Sequence, residues 1–230
     1  TELFKEKNLK IINLKGISLL NELYSDSIDA YKKRKINDID ILISYDELEP
    51  ALDILGRAGY FVASTKKKVS SDIIKEYYTQ VDHIGIHFPE FEKLTERTDI
   101  KSIKMDCHIS IIHTLDYKRE NMIKIINRYE WEKFQNKEIM VLGIYDRLLH
   151  LIVHFTKENF RCGVRWYITG ERNIKRNHKI MLPLLHEIAI LLYNNKKKVD
   201  LNKLVFMANE LNCGDEILGV FTLLKRVYSC

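Results

Sequence analysis

The chain has 230 residues, of which 46% are hydrophobic and 30% charged, and a formal net charge of +5. These values describe an ordinary soluble globular protein, long enough for one large domain or two small ones around a real hydrophobic core. No apolar run reaches the roughly 18 to 20 residues needed to cross a bilayer, and the opening TELFKEKNLK is charged, so neither a membrane span nor a signal peptide is expected.

The first residue is Thr1 rather than Met, which leaves room for an upstream portion. Cys107, Cys162, Cys213 and Cys230 are scattered without a C-x-x-C pair. That usage fits reduced thiols in the cytoplasm and argues against a disulfide scaffold or a structural zinc site. The basic clusters at 32–35, 66–68 and 196–198 are short and separated by acidic residues. They read as solvated loops and helix ends, with attraction of polyanions such as nucleotides as the functional alternative.

In chain order, residues 1–8 read as the tail of a helix and LKIINL (9–14) as a strand. Gly16 breaks the pattern and ISLLNELY resumes it with helical spacing, giving a strand, a turn and a helix whose start can receive an anion. After the polar stretch YSDSIDAYKKRKIN comes a strand, DIDILIS. YDELEPALDILGRAGY is a helix with Asp46 as its expected N-cap and Gly59 as its stop, and YFVAS is another strand. VDHIGIHF and IKSIKMDCHISII alternate like an antiparallel pair. Helical spacing returns over 117–129 and 144–160, with KEIMVLG as a short strand between them, and only helices follow Met181. The expected division is an α/β core over 1–116 and a mainly helical domain over 117–230, with the boundary near residues 116 to 143.

Asp38 and Asp40 pose the chemical question. Side chains at i and i+2 of a strand share a face, with Cα atoms roughly 7 Å apart, so the two carboxylates converge while Ile39, Ile41 and Ile43 take the other positions. Unpaired, they repel and at least one tends to hold a proton. A hard divalent cation such as Mg²⁺ reverses that sign. An isolated D-x-D is more often a strand end braced by a neighbour such as Arg34 or Lys35. Here a glycine turn lies upstream, and a third carboxylate, Asp106, follows in a later strand with His108 two places on. Three such carboxylates can hold two metals, position a triphosphate and activate a hydroxyl.

LKGISLLNELY, then YSDS, then an arginine four positions before DIDILI, then an amphipathic helix ending in GY, resembles the nucleotidyltransferase fold of the DNA polymerase β superfamily. More narrowly, the chain resembles a bacterial nucleotidyltransferase family with a Lys-Gly turn and an Arg-x-x-x-Asp-x-Asp strand. DCHISI, DRLLHLIVHFTKENF and the last helices are similar to that family's later parts. The resemblance runs from about Leu9 to Tyr228. It implies an α+β fold: a polymerase β-like mixed sheet with flanking helices, followed by a C-terminal helical region.

The resemblance also implies Asp38, Asp40 and Asp106 as metal ligands and catalytic carboxylates, with Asp106 as shared ligand or base. Gly16 lets backbone approach the phosphates. The wider superfamily usually has Gly-Ser or Gly-Gly at this turn, whereas Gly16 is followed by Ile17 and then Ser18, so Ser18 or Lys15 is the expected phosphate contact. Arg34 completes the nucleotide-binding set. The implied cofactor is Mg²⁺, as two ions, with Mn²⁺ as substitute.

Among the remaining residues, His108, His154 and Lys157 are candidates for lining a substrate cleft. His150 and His154 have the i, i+4 spacing of a metal pair, but without H-E-x-x-H they read as packing. His83 and His87 read as structural; Arg165 and Trp166 are candidates to face the active site, where the Trp166 ring would stack on a base, the alternative for Trp166 being a place in the core. The expected activity is transfer of a nucleoside monophosphate from an NTP, ATP included, to an acceptor hydroxyl, with release of pyrophosphate. The acceptor (small molecule, peptide, protein or RNA) and the oligomeric state are not legible. The competing expectation is a non-catalytic module of the same fold that binds a nucleotide or a protein.

Overall fold

A computed structural model describes residues 2–24, 38–73, 88–112, 119–134, 136–159 and 182–228. The described chain forms two compact units, one of residues 1–111 with 117–143 and one of 112–116 with 144–230.

In the first unit a short helix, Glu2–Lys5 (α1), leads into strand Ile11–Asn13 (β1) and helix Lys15–Tyr24 (α2). Strand Ile39–Ile43 (β2) follows, then a 3₁₀ turn, Tyr45–Glu47, and helix Leu48–Arg57 (α3). Strands Phe61–Val62 (β3), Phe91–Leu94 (β4) and Ser102–His108 (β5) come next, then helix Arg119–Asn127 (α4) and strands Glu130–Phe134 (β6) and Lys137–Val141 (β7). The strands form one mixed sheet in the order β3-β4-β5-β2-β1-β7-β6. β2 runs parallel to β5 and antiparallel to β1, and β1 runs parallel to β7.

Alternation on the central strands sorts the sheet faces. Ile41 and Ile43 of β2, Met105 and Cys107 of β5, Ile11 and Phe91 pack in one apolar cluster with Leu48, Ala51, Leu52 and Leu55 of α3. The intervening positions, Asp40 on β2 and Lys104, Asp106 and His108 on β5, belong to the opposite face.

Several expectations shift. The sheet does not end at residue 116: the hairpin of β6 and β7 joins it through β1, so 117–143 belongs with the α/β unit. β7 falls in KEIMVLG, read as a short strand, whereas β6 (EWEKF) is largely exposed and carries the charged pattern of a helix face. Asp46 is not a helix cap; α3 is entered through the 3₁₀ turn, no side chain caps it, and the Asp46 carboxylate pairs with Arg119. Gly59 does close the helix, at φ +89°. The described antiparallel partner of β5 is β4, from the stretch read as a polar link. VDHIGIH (81–87) lies outside the described residues.

The second unit is helical: Ile144–Asn159 (α5), Leu182–Asn194 (α6), Leu201–Glu210 (α7) and Gly214–Tyr228 (α8). α5 is buried along most of its length and packs against α6 and α8. Asp200 caps α7 by accepting hydrogen bonds from the amides of Asn202 (2.8 Å) and Lys203 (3.4 Å).

Gly56 fixes how closely α3 meets the following chain, since a β-carbon there would lie 1.9 Å from the Val69 carbonyl oxygen. Gly56→Ala is expected to lower unfolding stability by about 1–3 kcal/mol, as overpacking does. Urea denaturation followed by circular dichroism measures it.

Candidate functional site

Pairing of β2 with β5 in parallel sets Asp40 directly beside Asp106, and Leu42 beside His108. Paired residues of parallel strands share a face, so the two carboxylates stand side by side. His108, two positions along β5, reaches back so that its Nε2 lies 3.0 Å from Asp40 Oδ1. A carboxylate can only accept, which places the proton on Nε2.

The third participant comes from β1. Its pairing with β2 ends where the Leu14 amide donates to the Asp40 carbonyl at 2.9 Å, and α2 begins at the next residue. Lys15 therefore stands over Asp40, with Nζ 2.9 Å from the same Oδ1 that His108 contacts. Lys15 holds φ at +23°, a backbone conformation in which a β-carbon is strained. The Lys-Gly pair is thus the first turn of the helix rather than a turn preceding it. Ser18 is turned inward: its side chain is buried and its hydroxyl donates to the Lys15 carbonyl at 2.8 Å, tying that turn.

The Asp40 and His108 side chains are only 5% and 7% exposed. Burial by itself would raise the Asp40 carboxyl, but the hydrogen bond from His108 and the Lys15 ammonium outweigh it and hold the group well below the usual carboxylate range. Its neighbours move the other way. Asp38 and Asp106 are both raised, first by burial and then by the Asp40 charge, with Glu90 adding to each. Glu90 itself is bridged by Lys104 at 2.8 Å.

The donor set fits a divalent cation. One ligand atom each from Asp40, Asp106 and His108 lie within 4.8 Å of one another, a group among the described residues that could hold a metal ion. His108, expected to line a substrate cleft, joins the two aspartates in this group. Asp38 precedes the first residue of β2 and is not fixed by the strand pairing. Arg34 lies outside the described residues, as do His83, His87, Arg165 and Trp166. His154 and Lys157 lie on α5 in the second unit, where His154 stacks on His150 with ring centroids 6.1 Å apart. Sequence reasoning missed Lys104 and Glu90. Lys104 was findable from its alternation with Asp106 and His108, whereas Glu90 reaches the site only through the β4–β5 pairing.

A mixed α+β sheet with converging carboxylates on two parallel central strands is consistent with a nucleotidyltransferase-like fold. The model of a family described as uncharacterised nucleotidyltransferase matches residues 1–229, and the chain belongs to that family. No curated protein matches the chain. No helix among the described residues is long and apolar enough to cross a membrane.

The electrostatics give a stability test. Asp106 has a raised folded-state pKa, so its charge costs stability at neutral pH; the cost falls as pH drops through the folded pKa and is gone below the ordinary value of 3.8. With divalent ions chelated, Asp106→Asn is expected to melt a few degrees higher than wild type at pH 7, the gain vanishing toward pH 3.8. Asp40 has the opposite sign, so Asp40→Asn should lower the melting temperature at pH 7. Thermal unfolding across pH measures both.

Proposed function

We propose that the protein is a Mg²⁺-dependent nucleotidyltransferase that moves a nucleoside monophosphate from an NTP to an acceptor hydroxyl and releases pyrophosphate. The observation that carries this reading is the register of Asp40 against Asp106, with His108 beside them, in a member of a nucleotidyltransferase family. Bound there, Mg²⁺ supplies neutralisation of the triphosphate charge and activation of the attacking hydroxyl.

The chain's own residues have distinct parts. Asp40 is ionised and oriented by His108, which makes it the fixed anionic ligand. Asp106, pushed toward its protonated form, is the better proton acceptor for the acceptor hydroxyl as well as a ligand. Asp38 adds a third carboxylate at the mouth of β2. Lys15 and the amides of the first turn of α2 face the phosphates, where an ammonium and a helix N-terminus both favour negative charge. Gly16 keeps that turn free of a side chain next to Lys15, and Ser18 braces the turn from within. Arg34 is assigned to the same nucleotide-binding set on its spacing from Asp38.

The second reading, a module that binds nucleotide without turnover, is favoured by one observation: Asp40 is already compensated by two protein donors. Pyrophosphate release separates the two. Wild type with Mg²⁺, an NTP and a hydroxyl acceptor pool is expected to release pyrophosphate, chelation to stop it, and Asp40→Asn to lower the rate at least about 100-fold with an unchanged circular dichroism spectrum. NTP binding without any release would favour the module.

A further inference from the structure

One carboxylate oxygen, Asp40 Oδ1, receives both Lys15 Nζ at 2.9 Å and His108 Nε2 at 3.0 Å. The Lys15 and Asp40 side chains are 14% and 5% exposed, so this is an enclosed ion pair rather than a solvated one. Around it stand Asp38, Asp106 and Glu90, while the nearby Lys104 is bound to Glu90. Among the described residues, Lys15 is the ammonium that balances the Asp40 side of the cluster. Asp40 also belongs to the group that could hold a metal ion, and a dication coordinated by Asp40 repels an ammonium bound to it.

We propose that Lys15 is a tethered counter-ion that a divalent cation displaces from Asp40, freeing its ammonium for the triphosphate, so that metal and nucleotide binding are coupled through this one side chain. The inference rests on the reading of Asp40, Asp106 and His108 as a metal site. The displacement needs no backbone movement, because rotation about the side-chain bonds of a lysine carries Nζ from Asp40 toward the first turn of α2, where Lys15 itself begins the helix. His108, fixed on β5, keeps its hydrogen bond and holds Asp40 in place through the exchange. Before metal arrives the carboxylates are partly neutralised. Once it binds, a cation is released to the place where the next charged ligand must go.

Mn²⁺ binding in the absence of nucleotide, measured by electron paramagnetic resonance on wild type, Lys15→Met, Lys15→Arg and Asp40→Asn, tests this. Removing the competitor is expected to tighten Mn²⁺ binding in Lys15→Met by about tenfold, within the range of roughly 5- to 150-fold usual for coupled sites. Lys15→Arg should stay near wild type, and Asp40→Asn should lose binding. A non-hydrolysable NTP should then strengthen Mn²⁺ binding less in Lys15→Met than in wild type. Equal or weaker Mn²⁺ affinity in Lys15→Met, with binding still lost in Asp40→Asn, overturns the displacement and leaves the metal site standing. Absence of Mn²⁺ binding in both wild type and Lys15→Met overturns the metal site and the displacement together. A readout without any variant is acylation of Lys15 followed by mass spectrometry: Mn²⁺ is expected to increase its labelling several-fold, and unchanged labelling counts against the proposal whether or not Lys15→Met folds.

Discussion

The parallel pairing of β2 with β5 is the constraint from which the site follows. It places Asp40 beside Asp106 on the face opposite the apolar cluster, in a setting where Asp40 has almost no access to water. A buried carboxylate is tolerated only with hydrogen bonds and opposite charge around it. The fold supplies both from separate elements: an imidazole from the end of β5 and an ammonium from the start of α2. Because β1 is antiparallel to β2 and ends at the Leu14–Asp40 backbone bond, the helix that carries Lys15 has to begin there.

That arrangement divides three similar carboxyl groups into two kinds. Asp40, with two donors on one oxygen, is held ionised, while Asp38 and Asp106 bear the cost of sitting near it. A cluster in this condition is poorly optimised for the stability of the isolated chain and well suited to a cation, which turns mutual repulsion into shared attraction. The same logic explains why the site sits on strands: register holds Asp40 and Asp106 at a fixed separation, whereas Asp38, just outside β2, is less constrained. The strained backbone at Lys15 and the inward Ser18 hydroxyl fit a turn shaped for where its ammonium points.

Parts of this were legible in the chain itself. Two aspartates one residue apart in an apolar strand could be recognised as a charge problem, and Asp106 and His108 as a second instance on another strand, because period-two alternation is a local property. Asp46 could not be read correctly, since its partner, Arg119, is 73 positions away. β6 escaped for a related reason: its residues look like a solvated helix face, and only pairing to β7, the short strand read in KEIMVLG, makes them strand. Ser18 was expected at a phosphate in place of the serine that the wider superfamily carries at this turn; that its hydroxyl donates to the Lys15 carbonyl depends on how the first turn closes.

The sequence by itself determined the class of architecture, the apolar faces of its central strands, and the residue types that give the chain its chemistry, since all of these rest on short-range periodicity and composition. Tertiary structure alone decided that Asp40 is held below the usual carboxylate range while Asp38 and Asp106 are raised, that His108 and Lys15 share one oxygen of Asp40, and that Glu90 and Lys104 belong to the same charged face. Those facts depend on strand order and register, which are set by burial of the whole sheet and cannot be read from any one stretch of it.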